Sequence, residues 1–465
     1  MSDMPGQPYS TEPPATAPPA RAPGPQPRRL SIFSGVLWIV IGGLLLANNL
    51  VANLRIWDLF WNYWPVLLIL LGVAKLFDHF ASQRSGAPPA RLLSGGEIFL
   101  IILLLIVGGS VGTIRRIGDD HPDIDIRFPW DNTYTFSEEL SKEAVAGRPV
   151  RIDIPRGSIT VVADETSQIR VLVNKRARGV DEEQAKERAK DSGIEIVEMD
   201  NTFVIRRRAG SESFVRFDVE VRLPKKSTLT ARTERGSANI QGIEGDLKVD
   251  ANGSIEIRNV KGNVEAKVDG DALIIGASGD VRVDGDCRHI EIADVTGGAA
   301  IRCGFRGRAT LRNIAKHVYF KSVRTEFQAG TLPGRMVIGE GDLEVSDAPK
   351  DVTLITQHYD ILLDNVAGQI RVENRNGDVE VRMPKAPTAE ISITNQRGGI
   401  DLVLPSNSAF EVSATSDRGD LETDFDSLTV NERNREKRME GKVGAGGPKI
   451  RLSSTYDDVR LRKGT

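Results

Sequence analysis

The sequence predicts an all-β repeat domain of the β-solenoid or β-helix-like kind, preceded by a three-helix transmembrane region and a disordered Pro-rich tail. Glycine is abundant, with 45 among 465 residues, and aromatic residues make up only 6%. This composition favours many tight turns between short strands over a thick core. Long apolar runs are confined to residues 32–114, so this part is expected to lie in a membrane. A chain of this length should form more than one unit.

The first thirty residues are rich in proline. Nine prolines lie between Pro5 and Pro27, among Ala, Gly, Gln and Thr. Such a segment has too little apolar surface to offset the entropy that it would lose on ordering. Residues 1–30 are therefore predicted to be a disordered tail, with a Pro-rich ligand for a partner domain as the alternative.

Residues 31–116 are predicted to be the transmembrane region. Three apolar runs cover residues 32–54, 59–77 and 98–114. Each run is close to the roughly 17–25 residues that a membrane-spanning helix needs. A cleaved signal peptide is the alternative for the first run, but the long leader before it and the second run close behind it argue against cleavage.

Basic residues near the ends of these runs indicate the orientation, because Lys and Arg are enriched on the cytoplasmic side. Between the first and second runs the only basic residue is Arg55, whereas aromatic residues cluster there. Arg115 and Arg116 oppose the assignment. The residues that support it are Arg21, Arg28 and Arg29 before the first run, and Lys75, Arg84 and Arg91 between the second and third. The prediction is a multi-pass membrane protein with a cytoplasmic N-terminus and an extracytoplasmic C-terminal domain.

A family resemblance lies in the membrane region. Residues 32–80 include GVLWIVIGGLLLANNL and WNYWPVLLILLGVAKLF, with glycines in each span, an Asn-Asn-Leu exit and a Trp-Pro entry. This block resembles the transmembrane region of LiaF-like bacterial cell-envelope stress proteins. The resemblance implies a bacterial cytoplasmic (inner) membrane protein, with the lipid bilayer as a partner and a loose link to envelope-stress circuits.

From about Val150 the sequence becomes a succession of short strands separated by Gly, Asn or Asp. Gly253-Ser-Ile-Glu-Ile257 shows the alternation of apolar and polar residues that buries one face of a strand. A longer unit also recurs: strand, Asn or Asp, Val-x-Gly, strand. Two strands occupy roughly 17–20 residues, close to the shortest solenoid periods. Repeats this short must stack to bury a face. Residues 228–465 are therefore predicted to be β-solenoid repeats, with a β-sandwich as the alternative.

Residues 117–149 are expected to be a linker, and residues 150–227 an N-terminal β part. The segment DEEQAKERAKDS, residues 181–192, is the one convincing soluble helix, because acidic residues open it and Gly193 follows its basic end. Open solenoid ends expose unpaired strand edges, so this helix is expected to belong to an N-terminal cap, with a binding helix as the alternative. Residues 430–447 form a charged excursion, after which the final strands are expected to close the stack.

The segments RGSITV, NGSIEIRNVKGNV and KIRLSSTYDDVRLR carry a second resemblance. Residues from about Val150 to Lys463 resemble the bacterial adhesin family of the auto-transporter head type, whose function is unassigned. The resemblance implies β-solenoid architecture and a surface or periplasmic location, with no catalytic residues to carry over. Tyr456-Asp-Asp stands where that family more often has a small residue and Gly-Asp, so a different final turn is expected here.

No catalytic, cofactor-binding or metal-binding motif is recognisable. The five histidines include His289, His317 and His358 in the repeat, and none stands at the spacing of a zinc site. Neither a P-loop nor a nucleophile elbow is present. The carboxylates alternate with Lys and Arg, as on a solvated strand face, and the calcium-binding nonapeptide is missing. A net charge of −3 gives no reason to expect nucleic acid as a partner.

Cys287 and Cys303 are the only two cysteines. Their separation in the sequence is close to the length of one predicted coil. Equivalent positions on adjacent coils are about 4.8 Å apart, within the roughly 4.4–6.8 Å range of Cα–Cα distances in disulfides. A disulfide between them is therefore a candidate in an oxidising compartment, and two buried free thiols are the alternative.

Together these features favour a non-enzymatic protein of the cell envelope. The leading hypothesis is a membrane-anchored extracytoplasmic scaffold, sensor or binding module, whose solenoid surface binds another envelope protein or a glycan. The first alternative is a cell-surface adhesin or glycan-binding protein, which needs an exposed aromatic or polar stripe along the stack. The second is a carbohydrate-active β-helix enzyme, which needs two or three carboxylates converging on one groove.

Overall fold

The computed structural model describes residues 132–145, 147–179, 181–210, 215–433 and 436–464. The chain divides into two compact units, Met1–Ile126 and Arg127–Thr465, and all the described residues belong to the second. The predicted Pro-rich tail, the three predicted spans and the first part of the predicted linker lie outside the described residues.

Seven strands and one helix precede the regular repeats in the described ranges. They are β1 (Asn132–Glu143), β2 (Val150–Asp153), β3 (Ile159–Asp164), β4 (Gln168–Gly179), α1 (Glu182–Lys190), β5 (Ile194–Met199), β6 (Thr202–Arg207) and β7 (Arg216–Pro224). Strand β1 lies in the segment expected to be a linker, and it pairs along its whole length with β4. Its alternate residues Tyr134, Phe136 and Leu140 pack against the core. The linker expectation missed this strand because four of its last six residues are charged.

Helix α1 forms where the sequence predicts it. The carboxylate of Asp181, the N-cap residue, accepts a hydrogen bond from the backbone N–H of Gln184 at 2.8 Å. Two glutamates follow in the first turn, where the helix dipole favours negative charge. Ala185 and Ala189 are buried, and the helix packs on β4 and β1. It therefore lies where an N-terminal cap is expected.

In the most regular part of the first block of repeats, successive coils have the same length. This is shown by the pairing of Leu247 with Val264, and of Val264 in turn with Val281. Each coil contributes to two faces, in most coils through two strands and in β12 and β13 through one long strand. Equivalent segments of neighbouring coils pair in parallel. The strands are β8 (Leu229–Thr233), β9 (Ala238–Gln241), β10 (Leu247–Ala251), β11 (Ile255–Val260), β12 (Val264–Ala277), β13 (Val281–Val295), β14 (Ala299–Cys303), β15 (Ala309–Ile314) and β16 (Val318–Lys321).

One reversed coil separates this first block from a second. It consists of β17 (Glu326–Ala329) and β18 (Leu332–Ile338). Strand β17 is antiparallel to β16 and to β20 (Val352–Ile355), and β18 is antiparallel to β15 and to β19 (Asp342–Ala348). Because both of its strands run backwards, the second block resumes the direction of the first.

The second block has less regular coils. Val352 pairs with Ile370 and Ile370 pairs with Ile391, so the later of these two coils is the longer one. Its remaining strands are β21 (Asp360–Val366), β22 (Ile370–Asn376), β23 (Val379–Arg382), β24 (Ile391–Arg397), β25 (Ile400–Pro405), β26 (Phe410–Ser416), β27 (Leu421–Thr423), β28 (Thr429–Arg433), β29 (Glu436–Val443), β30 (Lys449–Ser454) and β31 (Val459–Gly464).

Near each end of the stack, one coil is inserted between two others, out of sequence order. Strands β2 and β3 lie between β6/β7 and β8/β9. Likewise β30 and β31 lie between β24/β25 and β26/β27. The expectation that the final strands close the stack is therefore wrong: the charged excursion forms the hairpin β28–β29, which pairs outside β26. The alternation of apolar and polar residues buries the inward face of a strand in whichever coil the strand lies. The alternation therefore does not predict the order of the coils along the stack.

The recurring Asn or Asp before a buried apolar residue has a conformational cause. These residues have φ values between 51° and 57°, in the left-handed region that Asn and Asp tolerate better than other side chains. The kink turns the next, apolar residue into the core, as at Val260 and Val295. Some of these positions also bind each other: the Asn313 Nδ2 group donates to Asp294 Oδ1 at 2.8 Å. The five residues are Asn259, Asp294, Asn313, Asp347 and Asn365.

The predicted all-β repeat fold is confirmed for the described residues. Parallel pairing between successive coils excludes the alternative of a β-sandwich, which is built from antiparallel sheets. Small aliphatic residues fill most of the interior. Aromatic rings enter it in the reversed coil, at Phe327, beside that coil, at Phe320, and near the ends of the stack, at Phe217 and Phe410.

Candidate functional site

One corner of the second block carries buried polar residues. Five neighbouring coils reach it through β20, β22, β24, β30 and β26, in that order along the stack. Where these strands end, the inward position holds a polar side chain, buried to 5% exposure or less: Thr356, Asn374, Asn395, Ser454 and Ser416. Buried polar groups need hydrogen-bond partners. The amide donors here bind backbone carbonyl oxygens of the turns, whereas the Oδ1 atoms of Asn374 and Asn395 have no partner within the described residues.

The two asparagines bind the turning backbone of two coils at once. Asn374 Nδ2 donates to the carbonyl oxygens of Tyr359 at 3.0 Å and Gly377 at 3.1 Å. Asn395 Nδ2 donates to those of Gly377 at 2.8 Å and Gly398 at 2.9 Å. Each amide thus joins its own turn to the turn of the preceding coil. Hydrogen bonds from these buried amides therefore hold the turns of the corner in place.

Glycine allows these turns to approach one another through their backbones. Gly377 and Gly398 have φ values of +102° and +122°, which side chains disfavour. A Cβ atom at Gly398 would lie 2.2 Å from the carbonyl oxygen of Gly377. Substitution at this position would therefore separate the coils. The residues just before these glycines carry the chemistry of the corner's outer surface.

One outward side chain per coil forms a row that we call the edge stripe: His358, Asn376, Arg397, Tyr456 and Arg418. A parallel bridge joins His358 to Asn376, and Asn376 pairs with Arg397. Four of the five residues are exposed, and Asn376 is half-buried. With neighbouring strands about 4.8 Å apart, the edge stripe is roughly 19 Å long.

Tyr456 is stacked at the centre of a cationic group. The guanidinium carbons of Arg418 and Arg397 lie 4.7 Å and 5.8 Å from its ring centroid, within the range of cation–π contacts. The two arginines come from the coils on either side of Tyr456. Tyr456 is 42% exposed, and among the described residues no other aromatic side chain is exposed.

A second polar row runs beside the edge stripe, one residue earlier in each coil. It consists of Gln357, Arg375, Gln396, Thr455 and Asp417. Within the described ranges, no ion pair with a carboxylate involves Arg375, Arg397 or Arg418. The corner therefore presents amide, guanidinium, imidazole and phenol groups that are free to bind something else.

Carboxylates at the same corner keep its net charge small. Asp378 Oδ1 accepts a hydrogen bond from the Gly399 N–H at 2.7 Å, and Asp457 Oδ2 accepts one from the Gly398 N–H at 2.7 Å. Both carboxylates are thereby held by the backbone of a neighbouring coil. Their negative charges offset the unpaired arginines, so the corner is rich in hydrogen-bonding groups without being strongly charged.

Asp401, on the outward face of β25, lies just beyond the corner. Its Oδ1 atom is buried and has no hydrogen-bond partner within the described residues, and its Oδ2 atom lies 3.3 Å from Arg462. Burial raises the pKa of Asp401 above its ordinary value, although Arg462 acts in the opposite direction. Glu380, its partner on the next strand, also raises this pKa. These carboxylates and the nearby arginines form an ion-pair ladder along the sheet face.

The two cysteines lie at the equivalent corner of the first block. A disulfide joins Cys287 of β13 to Cys303 of β14, with their Cα atoms 5.6 Å apart, and both residues are buried. The backbone N–H of Gly304 donates to the carbonyl of Gly285 at 3.0 Å beside them. The coils thus place the two sulfur atoms together, and the redox state of the compartment decides whether the bond persists.

The histidines of the repeat, which were considered as metal ligands, lie on separate coils. His289 Nδ1 is 3.2 Å from Asp271 Oδ1, whereas His358 belongs to the edge stripe. In the described part of the chain, no group of three or more potential ligands is placed to hold a metal ion. Sequence reasoning did not single out Asn376, Arg397 or Arg418. Each of the three residues directly precedes a glycine at the end of a strand. This pattern could have drawn attention to them, but that they form one row follows only from the register of the coils.

The fold and the corner define a β-solenoid repeat protein with one chemically distinct edge. Residues 315–462, which contain the edge stripe, match the family described as Toastrack DUF4097. Residues 33–118 match the LiaF transmembrane domain, which confirms the resemblance of the membrane region. The chain thus combines a Toastrack region with a LiaF-type membrane region. No curated protein gives a significant match. The one helix within the described ranges is too short and too polar to cross a membrane.

Three solved bacterial structures are similar to this chain, and each aligns with 71% of it. A candidate cell adhesion protein from Clostridium sporogenes is 8% identical, with 100% of that chain covered and a TM-score of 0.15. A candidate adhesin from Bacteroides fragilis is 11% identical, with 97% covered and a TM-score of 0.20. One from Parabacteroides merdae is 12% identical, with 96% covered and a TM-score of 0.20. These TM-scores are too low to carry an argument.

Proposed function

We propose that this protein is a non-enzymatic binding module of the bacterial envelope, anchored in the cytoplasmic membrane with its Toastrack region outside. The LiaF-type match supports the anchor. The predicted odd number of spans, with basic residues on the cytoplasmic flanks, supports the extracytoplasmic position. The observation that carries the binding role is the edge stripe, a row of outward polar side chains on a rigid corner.

The contrast with the remaining surface supports this role. Elsewhere, outward charges commonly pair with each other across coils, as Lys248 does with Glu265 at 3.0 Å and Lys261 with Glu244 at 2.6 Å. The arginines of the edge stripe have no such carboxylate partner among the described residues. Groups that are held in place and unpaired bind a ligand at low entropic cost. The edge stripe therefore has the properties of a preorganised binding surface.

The arrangement of carboxylates supports a role without catalysis. A glycoside hydrolase needs two carboxyl groups facing each other across the scissile bond. At the corner, Asp378 and Asp457 are instead engaged by backbone N–H groups of the next turn. Asp401 and Glu380 lie side by side on a sheet face with arginines around them. Neither pair is arranged to face a substrate from two sides.

Site-specific photo-crosslinking in the intact membrane tests the binding role. A photoreactive residue replaces Gln396, which lies beside the edge stripe, and the matched control replaces Asn252, at the equivalent corner of the first block. We expect an envelope component to be captured from position 396 and not from position 252. Equal capture from the two positions, or capture from neither, would contradict the proposal.

Reporter fusions test the proposed orientation. An enzyme that is active only outside the cytoplasm is fused after Thr465, and a second fusion places it after residue 30. We expect activity from the first fusion and none from the second, because an odd number of spans separates the two positions. Activity only from the second fusion would place the Toastrack region in the cytosol.

A further inference from the structure

The chemistry and the spacing of the edge stripe together indicate the class of its ligand. We infer that the edge stripe binds an uncharged, extended glycan that lies along the stack, with about one sugar ring at each coil. This inference rests on the binding role proposed above and adds the ligand to it.

The side chains suit hydroxyl groups, which both donate and accept hydrogen bonds. Gln396 offers a donor and an acceptor, and the Arg397 guanidinium offers a planar fork of donors to two adjacent hydroxyl groups. The Asn376 Oδ1 atom is buried, so the ligand contacts of this residue are left to its amide donor.

The repeat of the coils matches the repeat of an extended glycan. Neighbouring strands are about 4.8 Å apart, and a pyranose ring in a chain with equatorial linkages advances by nearly the same distance. Each ring of such a chain can therefore lie opposite about one coil of the edge stripe. Five coils contribute to the edge stripe, so affinity should increase with chain length up to about five rings.

The corner is less suited to the other polymers of an envelope. Asp378 and Asp457 would repel a polyanion, because their charges lie beside those of the arginines. The buried centre of a protein interface is usually a mainly apolar patch, in which Tyr and Arg are also common. The edge stripe has only one exposed ring, that of Tyr456, and its other groups are polar. An uncharged polyhydroxylated chain is the partner that fits both features.

Titration calorimetry on the full chain in detergent tests the inference. The probes are β-1,4-linked hexasaccharides of glucose and of N-acetylglucosamine, the corresponding trisaccharides, and dextran sulfate. We expect at least one hexasaccharide to bind, about tenfold more tightly than its trisaccharide. We expect Tyr456→Ala and Arg397→Ala each to weaken this binding about tenfold, with no change in the thermal unfolding of the first block.

Arg306→Ala is the matched control. Arg306 lies at the same corner of the first block, but it pairs with Asp286 at 3.4 Å, so its loss should leave hexasaccharide binding unchanged. Arg397→Lys keeps the charge and loses the planar fork, and it should also weaken binding if the guanidinium contacts two hydroxyl groups.

Two results would contradict the inference that the ligand is a glycan. One is the absence of hexasaccharide binding, and the other is equal affinity for hexasaccharide and trisaccharide. Binding of dextran sulfate that Arg397→Ala abolishes would assign the edge stripe to an anionic polymer instead. In each case, capture of an envelope component from position 396 would leave the binding role intact, whereas loss of that capture as well would remove both proposals.

Discussion

The same corner of the solenoid is built in two ways. In the first block the inward position holds Thr233 in β8, then the apolar residues Ala251 and Val268, and at the next coils the Cys287–Cys303 disulfide. Outside, arginines pair with aspartates across coils. In the second block the inward position holds asparagines and serines, and the arginines outside lack carboxylate partners within the described residues. One backbone scaffold thus supports a corner whose outward charges are paired and a corner whose outward arginines have no carboxylate partner within the described residues.

The difference shows what an outward row of free polar groups requires. Side chains whose charges are already paired hold each other in place, so the turn beneath them needs only apolar packing. Unpaired outward groups do not hold the turn in place in this way. In the second block the inward asparagines hold the turns in place instead, through hydrogen bonds to the carbonyl oxygens of the turns. The stability of this corner should therefore depend on a few buried hydrogen bonds, which the following changes test.

The largest effect should follow from removing the enclosed last coil. Deletion of residues 449–465 takes away β30 and β31 from between two neighbouring coils, and exposes the apolar inner edges of both. We expect the second block to lose its structure while the first block remains folded, because each coil of a repeat protein contacts only its neighbours. Limited proteolysis followed by mass spectrometry should show a protease-resistant first block alone.

A shorter outer hairpin is the control for this deletion. The hairpin β28–β29 pairs only at the outside of β26, so replacing residues 431–437 by a tight turn should leave the second block protease-resistant. If the 449–465 deletion also leaves it resistant, the enclosed coil does not hold the block together.

Reduction of the disulfide should have the next largest effect, confined to the first block. Closing a loop of about 15 residues is expected to contribute about 3 kcal/mol to the free energy of unfolding. Urea denaturation with and without reductant measures this loss, and Cys303→Ala should reproduce it. Alkylation of the non-reduced protein is the direct check. Two thiols that react freely after membrane extraction would show that Cys287 and Cys303 are not bonded in the cell.

Asn395→Ala should lower the free energy of unfolding of the second block by about 2 kcal/mol. The change removes the amide that binds the carbonyl oxygen of Gly398, and it leaves the Gly377 carbonyl oxygen with the Asn374 amide alone. Thr394→Ala, on the exposed side of the same strand, is the control and should change stability by less than about 0.5 kcal/mol. Urea unfolding followed by far-ultraviolet circular dichroism compares them, and equal stabilities would show that the asparagine does not support the corner.

The converse substitution in the first block sharpens the comparison. Ala251→Asn places an amide at the equivalent inward position, where the turn is packed by apolar residues. A buried amide without partners costs about 1–3 kcal/mol, so this variant should be less stable than the parent protein. An unchanged unfolding midpoint would mean that the two corners are interchangeable.

The smallest effect should be at Asp401. Burial raises its pKa in the folded state, so the folded protein favours the neutral acid and loses stability when the group ionises. Asp401→Asn should therefore stabilise the protein at pH 7, by less than about 1 kcal/mol. The gain should shrink as the pH falls through the raised pKa and vanish below the ordinary pKa of about 3.9, where the parent residue is neutral as well.

Asp364→Asn is the matched control for this pH series. Asp364 is exposed on the same sheet face, and its replacement should leave the unfolding temperature unchanged at every pH. A loss of stability in Asp401→Asn at pH 7 would show instead that the attraction between Asp401 and Arg462 exceeds the cost of burial.

Local patterns predicted much of the fold. Alternation of apolar and polar residues gave the strands, and acidic residues before a basic end gave helix α1. The Asn or Asp before Val-x-Gly was recognised as a repeat, and the structure explains it by the left-handed backbone of residues such as Asn259. Strand β1 was missed, because its alternation is hidden by charged residues that are only half buried.

The candidate site was less accessible to prediction. The sequence showed Tyr456 as an irregular turn residue and His358 as a histidine without metal partners. Nothing in their positions connects them to Asn376, Arg397 and Arg418. The reason is the enclosed last coil: Ile391 pairs with Ile450, which is distant from it in the sequence, so Tyr456 lies between two arginines that both precede it.

The sequence by itself determined the local conformation and the class of the fold, because side-chain alternation, helix capping and left-handed turn residues act over a few neighbouring positions. The order of the coils, the reversed coil and the edge stripe were decided only by tertiary structure. Each depends on which apolar strands stack on each other, and many stacking orders would bury the same alternating residues equally well. Long-range packing selects one of them and brings residues from three separate coils together at Tyr456.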